Sequence, residues 1–136
     1  MNTKLNPPSE SASDVKHQEC FGTDPKVHGV SVLTSDGRNC GLPFAQFLDS
    51  ELIANPALES EPDAPTEKLT IHFVSATVTV LGTGIKRIQD GLLGSDLKFI
   101  RPLDRRLAEP VRGHVAEVRV EYHRETNEPR TGGLNP

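Results

Sequence analysis

The sequence predicts an α+β domain with one mostly antiparallel sheet of about five strands, in the order ββ-α-ββ-α-β, and two helices packed on one face of the sheet. Three observations predict this class. Apolar residues recur at every second position in several short stretches, which is typical of half-buried strands. In two other stretches they recur at spacings of three and four, which is typical of amphipathic helices. Glycine and proline separate these stretches.

Apolar residues are concentrated in the middle of the chain. Leucine, isoleucine, valine and phenylalanine account for 35 of the 136 residues, and all but four of them lie between positions 27 and 123. The ends bury too little apolar surface to offset the entropy that is lost when a chain becomes ordered. We therefore expect a disordered arm over residues 1–26, a single domain over 27–123 and a flexible tail over 124–136.

The first element is expected to be a β-hairpin. Val30 and Val32 alternate with a serine, and Asp36-Gly37 supplies the positive φ angles that a tight turn needs. The return strand ends at Pro43, because proline offers no N–H group to a neighbouring strand.

The residues after this hairpin predict the first helix. Apolar side chains fall close to the i, i+3, i+4 and i+8 positions of one helix face. They are Phe44, Phe47, Leu48, Leu52 and Ile53. Asn55-Pro56 ends this helix, since the residue before a proline disfavours the α conformation. Residues 57–67 follow as an acidic loop.

The strongest strand signal runs over residues 68–81 and predicts a second hairpin. Apolar and polar residues alternate on both sides of a reversal expected at residues 74–76, and Phe73 falls on the inward side. Gly82-Thr83-Gly84 then ends the sheet strand and opens the second helix, which stops near Gly94.

The buried face of the second helix has the spacing i, i+3, i+7 and i+8. Its residues are Ile85, Ile88, Leu92 and Leu93. After a charged connector, the last strand places alternate residues inward. These inward residues are Ala116, Val118, Val120 and Tyr122.

Charge and composition exclude several classes of protein. The formal net charge of −4 argues against a dedicated binder of nucleic acid or acidic membranes. No apolar stretch is long enough to span a bilayer, and the first twenty residues hold no apolar segment of a signal peptide. Two cysteines are too few for a disulfide framework. We expect a cytoplasmic protein with reduced thiols and no membrane partner.

A glycine turn and a basic segment form the candidate anion-binding site. The turn lies between a strand and a helix, where phosphate-binding loops occur, and residues 86–112 carry a net charge of +3. However, Arg87 stands where a dinucleotide motif needs a third glycine, and acidic residues interleave with the arginines. An ordinary turn with a helix cap and a solvated connector explain these segments more simply. The candidate residues are Gly82, Thr83, Gly84, Arg101, Arg105 and Arg106.

Other chemically competent residues do not make a convincing site. Four residues carry ligand atoms at spacings that match no standard zinc pattern, namely His17, Cys20, His28 and Cys40. Cys40 could act as a nucleophile with His72 or His114 as its base, yet a strand does not stabilise a thiolate as a helix N-terminus does. We expect no catalytic residue, no metal and no cofactor.

The exposed edges of a small sheet predict a role in protein binding. Edges must be protected or used, and pairing with another chain both uses an edge and enlarges a small core. We predict a non-enzymatic interaction module that binds a protein partner, or forms a homodimer, through a sheet edge or the helix-free sheet face. The alternatives are binding of nucleic acid or a phosphorylated ligand through residues 86–112, and an enzyme with an unrecognised site.

Overall fold

The computed structural model describes residues 18–108 and 113–123. These residues form eight strands in two four-stranded sheets and one α-helix. The strands are β1 (Phe21–Thr23), β2 (Gly29–Leu33), β3 (Asn39–Pro43), β4 (Phe47–Ala54), β5 (Glu67–Phe73), β6 (Ala76–Thr83), β7 (Leu97–Ile100) and β8 (His114–Tyr122). The helix α1 spans Lys86–Leu93, and short 3-10 turns span Phe44–Gln46, Pro56–Glu59 and Arg105–Leu107.

The first sheet has the strand order β1-β7-β2-β3. β2 and β3 form the predicted hairpin, with Val32 paired to Cys40 and Gly37 in the turn at a φ of 93°. β7 lies antiparallel to β1 and parallel to β2, so this sheet joins segments that are far apart in the sequence.

The second sheet has the order β4-β5-β6-β8 and is antiparallel throughout. β5 and β6 confirm the second predicted hairpin, which reverses at Val74-Ser75. The inward residues of these two strands are fully buried, as their alternation predicted, and include Leu69, Ile71, Phe73, Val78 and Val80.

The predicted architecture of one sheet under two helices is wrong. The stretch expected to form the first helix is instead a 3-10 turn followed by β4. A bulge between Phe47 and Asp49 makes Leu48 an extra residue in the strand. This extra residue interrupts the alternation of β4 and gives its apolar residues helix-like spacings. Pairing with β5 therefore outweighs the local pattern. The predicted α+β class is correct only in part, because the described residues are mostly in strands and form a single α-helix, α1.

The second predicted helix is confirmed as α1. Ile88 and Leu92 lie on its buried face. Gly91 of the same helix is so close to Leu97 of β7 that a Cβ added to the glycine would be 3.1 Å from the leucine Cβ. Leu93, which we predicted to share the buried face, is 69% exposed. Within the described residues, no helix has the length and apolar character needed to cross a membrane.

The two sheets share one hydrophobic core. Cys20 and Phe21 belong to this core, although both lie in the segment that we assigned to the N-terminal arm. They reach it because β1 pairs with β7. Residues 1–17 of the predicted arm and residues 124–136 of the predicted tail lie outside the described residues.

The last strand, β8, is confirmed, but its beginning is shifted relative to the predicted pattern. Val118 and Val120 are buried as expected. Near the start of the strand, however, Val115 is buried and Ala116 is exposed. The register between β6 and β8 shifts between Leu81 and Gly82, and this irregularity moves the inward position by one residue.

The turn between β2 and β3 covers the outer edge of β8. The backbone N–H of Ser35 donates to the carbonyl of Val118 at 2.9 Å, and the N–H of Val118 donates to Ser35 Oγ at 2.9 Å. Arg38 Nη2 also donates to the carbonyl of Val120 at 2.9 Å. This edge is therefore occupied by the chain itself.

Replacement of Phe73 tests the assignment of the core. Its ring is fully buried and meets the ring of Phe47 edge-on, with centroids 5.9 Å apart. We expect Phe73→Ala to lower the free energy of unfolding by about 3–5 kcal/mol, because the cavity cannot be refilled. Urea denaturation followed by circular dichroism measures this loss.

The neighbouring Val74, which is 60% exposed, provides the control for this measurement. We expect Val74→Ala to change the free energy of unfolding by less than about 0.5 kcal/mol. If Phe73→Ala is already unfolded in buffer, Phe73→Leu gives a measurable and smaller loss. A loss below about 1 kcal/mol for Phe73→Ala contradicts the assigned core.

Candidate functional site

Strand β4 is an edge strand that pairs with β5 alone. It is eight residues long, and alternate backbone N–H and C=O groups of an edge strand point away from its single neighbour. Across the part of the chain that the structure describes, the backbone of residues 47–54 makes one hydrogen bond outside the β5 ladder, the local bond from the N–H of Phe47 to the carbonyl of Phe44. β4 therefore offers an open edge for pairing with another strand.

The side chains of β4 add apolar and acidic groups to this open edge. Phe47 and Leu52 pack against the core, whereas Leu48 is 61% exposed and Ile53 is 40% exposed. Asp49 is also exposed, and its Oδ1 lies 2.6 Å from Nδ1 of His72 on the neighbouring strand. The edge combines unpaired backbone with apolar surface, which is the composition of a strand-binding site.

The other three sheet edges are shorter or covered. The β2–β3 turn covers β8, as described above. β1 has only three residues. β3 has five residues and includes Gly41 and Pro43, which weaken pairing with a further strand. β4 is thus the edge best suited to bind another chain.

A cleft lies where β6 ends and β8 begins. Thr83 and His114 are paired residues of these two strands, and with Arg105 they line a cavity of about 310 Å³. The cavity continues into a hollow of about 570 Å³ whose wall includes Thr66 and Asp63. The cleft brings a guanidinium, an imidazole and two hydroxyl groups to one concave surface.

Hydrogen bonds fix two of the cleft side chains. His114 Nε2 lies 2.7 Å from the carbonyl oxygen of Leu103, and Thr66 Oγ1 donates to Thr83 Oγ1 at 3.2 Å. Gly113 lies beside these residues at a φ of 97°, and a Cβ there would collide with the carbonyl oxygen of Gly84. Only glycine permits this close approach of the two backbones.

The structure brings together two of the six residues predicted to bind an anion. Thr83 and Arg105 both line the cleft. Gly82 is buried in the sheet and pairs with Val115, while Gly84 adopts a φ of 68° at the edge of the helix. At the start of the helix, the N–H of Ile85 donates to Oε1 of Glu67 at 3.0 Å.

The remaining predicted arginines have other partners. Arg101 Nε donates to the carbonyl of Glu19 at 2.9 Å, and its guanidinium lies 5.3 Å from the centre of the Phe99 ring. Arg106 Nε lies 3.3 Å from the carboxylate of Asp104. The predicted basic site is therefore divided, and only Arg105 reaches the cleft.

Sequence reasoning missed Thr66 and His114 as members of the cleft. We had considered His114 only as a base for Cys40, and Thr66 as part of an acidic loop. Thr66 is 17 positions before Thr83. Both residues reach Thr83 through the register of strand pairing, which a spacing motif does not reveal.

The candidate metal and thiol residues lie in different environments. Cys20 and Cys40 are free thiols and are buried, whereas His28 is exposed. His17 lies outside the described residues. His72, which we considered as a base for Cys40, contacts Asp49 instead. Within residues 18–108 and 113–123, no group of three or more His, Cys, Asp or Glu side chains could hold a metal ion.

No protein-family model matches this chain, and no curated protein or solved structure matches it either. The edge of β4 and the cleft are therefore the features from which a function can be argued.

The environment of Cys20 predicts that its thiol reacts slowly with alkylating reagents. Burial raises the pKa of Cys20, although its Sγ accepts a hydrogen bond from the N–H of Val115 at 3.2 Å. Because only the thiolate reacts, we expect alkylation by iodoacetamide to be at least about tenfold slower in the folded protein than in guanidinium. Mass spectrometry of the modified peptides separates Cys20 from Cys40.

The direction of this pKa shift also predicts how the contribution of Cys20 to the stability of the fold depends on pH. The folded-state pKa of Cys20 lies above the unfolded-state value, so its contribution to stability is fully present below the unfolded-state pKa. That contribution is lost as the pH rises through the folded-state pKa. Equal alkylation rates for Cys20 in the folded and unfolded protein contradict this account.

Proposed function

We propose that this chain is a non-enzymatic protein-interaction module that binds an extended segment of a partner protein along the edge of β4. The observation that carries the proposal is the open eight-residue edge of β4 together with the exposed side chains of Leu48 and Ile53. A partner strand that pairs there would form main-chain hydrogen bonds along the edge and cover this apolar surface.

The edge is already formed before a partner binds. β4 is held by β5 on one side, and Phe47 and Leu52 anchor it to the core. Conformational entropy is therefore lost mainly by the incoming segment. Burial of an exposed leucine or isoleucine side chain contributes roughly 1–2 kcal/mol towards offsetting this loss.

Charge favours a basic partner over a second copy of this chain. In an antiparallel pairing of two β4 strands centred on Ser50, Asp49 would face Glu51 of the other copy. A pairing centred on Glu51 would place two glutamates opposite each other. Like charges at opposed positions destabilise a sheet. The loop that follows β4 adds further exposed acidic residues, namely Glu59, Glu61 and Asp63.

We therefore propose that the partner segment carries lysine or arginine at alternate positions, with apolar residues between them. Alternation places the basic side chains on the face that Asp49 and Glu51 share with Ile53, since successive side chains in a strand point to opposite faces. The apolar stems of these lysine or arginine side chains can cover Ile53. A homodimer through β4, which the sequence also suggested, has less support because of this repulsion.

The alternative functions are less well supported. Binding of nucleic acid needs arginines on one surface, whereas Arg101 and Arg106 are held by other groups. We place the module in the cytoplasm, since its two cysteines are both free thiols, as is usual in a reducing compartment.

Binding of a designed peptide tests this proposal. The probe is a short peptide of alternating lysine and valine, and its matched control has glutamate in place of lysine. We expect the lysine peptide to bind saturably and to protect amide hydrogens of residues 47–54 from exchange. We expect the glutamate peptide to bind at least about tenfold more weakly, because like charges then face each other.

Matched variants locate the binding edge. Ile53→Lys places a positive charge on the edge, and we expect it to weaken binding of the lysine peptide about tenfold or more. Leu93→Lys is the control, since Leu93 is also an exposed apolar residue, at 69%, but lies on α1. Protection of a strand other than β4, or equal binding by both variants, contradicts the proposal. A dimer seen by light scattering that Ile53→Lys abolishes contradicts the basic-partner part.

A further inference from the structure

We propose that the cleft between the end of β6 and the start of β8 binds a small molecule that carries one oxyanion beside a hydroxyl group. A phosphate monoester and a hydroxy acid both have this chemistry. The site consists of Arg105, Thr83 and His114, and it is separate from the edge to which a partner strand would bind.

The guanidinium of Arg105 is the group that would hold the oxyanion. In the described part of the chain, Arg105 makes no side-chain hydrogen bond and no ion pair, yet it lines both parts of the cleft. Most other described arginines have partners, namely Arg38, Arg101, Arg106 and Arg119. A guanidinium matches a phosphate or carboxylate with two parallel hydrogen bonds.

The hydroxyl group of Thr83 supplies a second donor. Thr83 Oγ1 lies 3.2 Å from Thr66 Oγ1, and a hydroxyl group can accept from one partner while it turns its own hydrogen towards another, here a bound oxyanion. The two threonines lie on the wall that Arg105 shares, and an oxyanion bound to Arg105 can accept from Thr83 as well.

The ring of His114 lines the same cleft, and one of its two nitrogens is already bound. The carbonyl oxygen of Leu103 can only accept, so its 2.7 Å contact with His114 Nε2 requires the proton to be on Nε2. Among the described residues, no hydrogen bond to the other ring nitrogen, Nδ1, is present. A hydroxyl group next to the oxyanion can form a hydrogen bond with this nitrogen, so a hydroxylated ligand would use one more group of the cleft than a bare anion.

The size and the charge of the cleft limit the ligand further. A cavity of about 310 Å³ suits a small molecule, since ligand pockets begin at roughly 300 Å³. Asp63 lies on the wall of the adjoining hollow and repels additional negative charge there. This carboxylate favours a ligand with a single anionic group over a polyanion.

Nuclear magnetic resonance titration tests this site. The probes are inorganic phosphate, glycerol 3-phosphate and lactate, and the signals to follow are the His114 ring and the Thr83 amide. We expect saturable shifts confined to the cleft, with glycerol 3-phosphate or lactate binding more tightly than inorganic phosphate. Tighter binding of glycerol 3-phosphate identifies a phosphate monoester as the ligand class, and tighter binding of lactate identifies a hydroxy acid.

Substitution of Arg105 separates specific binding from weak surface contact. We expect Arg105→Gln to weaken binding at least about tenfold, because two charge-assisted hydrogen bonds are lost. Arg87→Gln, on the exposed surface of α1, is the matched control and should bind as the unaltered protein does. Since Arg105 makes no side-chain hydrogen bond or ion pair among residues 18–108 and 113–123, the thermal midpoint of Arg105→Gln should not change.

Thr83→Val provides an independent check, since it removes the hydroxyl donor and keeps the shape of the side chain. We expect it to weaken binding of the probes as well. The proposal is overturned if no probe gives saturable shifts, or if Arg105→Gln binds as tightly as Arg87→Gln. Ile53→Lys should bind the probes normally, so failure of the strand-binding proposal would leave this result unaffected.

Discussion

The hydrogen bonds between the β2–β3 turn and β8 hold the two sheets around one core. Ser35 and Arg38 reach across from the first sheet and bind three groups on the backbone of β8. The turn has a fixed shape because Thr34 is buried, its hydroxyl binds Asp36, and its Oγ1 accepts from the N–H of Arg38 at 2.9 Å. The bond from Thr34 is also the main reason that the pKa of Asp36 lies below its ordinary value.

The hydrogen bonding of the β2–β3 turn to β8 determines which surfaces of the fold remain open. Because the turn occupies the outer edge of β8, the free edge of the second sheet is at its other side, along β4. The same strand, β8, begins at His114 beside Thr83, where the pairing with β6 ends. The segment between β7 and β8 places Arg105 on the wall of the same cavity as Thr83 and His114. The open edge of β4 and the cleft therefore both follow from the neighbours of β8, which are the β2–β3 turn on one side and β6 on the other.

The elements that sequence reasoning predicted are those whose pattern is local. The two hairpins and α1 have clear periods and clear turns, so their residues alone specify them. β4 was missed because the bulge at Leu48 gives a strand the spacing of a helix. The division into two sheets was missed because it depends on pairing of β7 with β1 and β2, for which no short segment carries a signal.

The candidate site shows the same limit. Thr83 was predicted from its place in the Gly82-Thr83-Gly84 turn, and Arg105 was predicted from the charge of its segment. Their association with Thr66 and His114 comes from strand register, which is a property of the folded sheet. Arg101 and Arg106 have the same chemistry as Arg105 but have partners of their own. Residue type thus identifies candidates, while pairing decides which of them share a surface.

Asn55 connects the two proposed sites physically. It follows the last residue of β4 and is a buried polar residue, with 5% exposure. Its N–H donates to the carbonyl of Thr66 at 3.0 Å, and its Nδ2 donates to the carbonyl of Pro65 at 2.8 Å. Both acceptors belong to the wall of the cleft. A buried amide is costly to leave unpaired, so the end of β4 and this wall are held in one arrangement. One wall of the cleft is therefore anchored just after the end of β4, beyond the residues that a partner strand would cover.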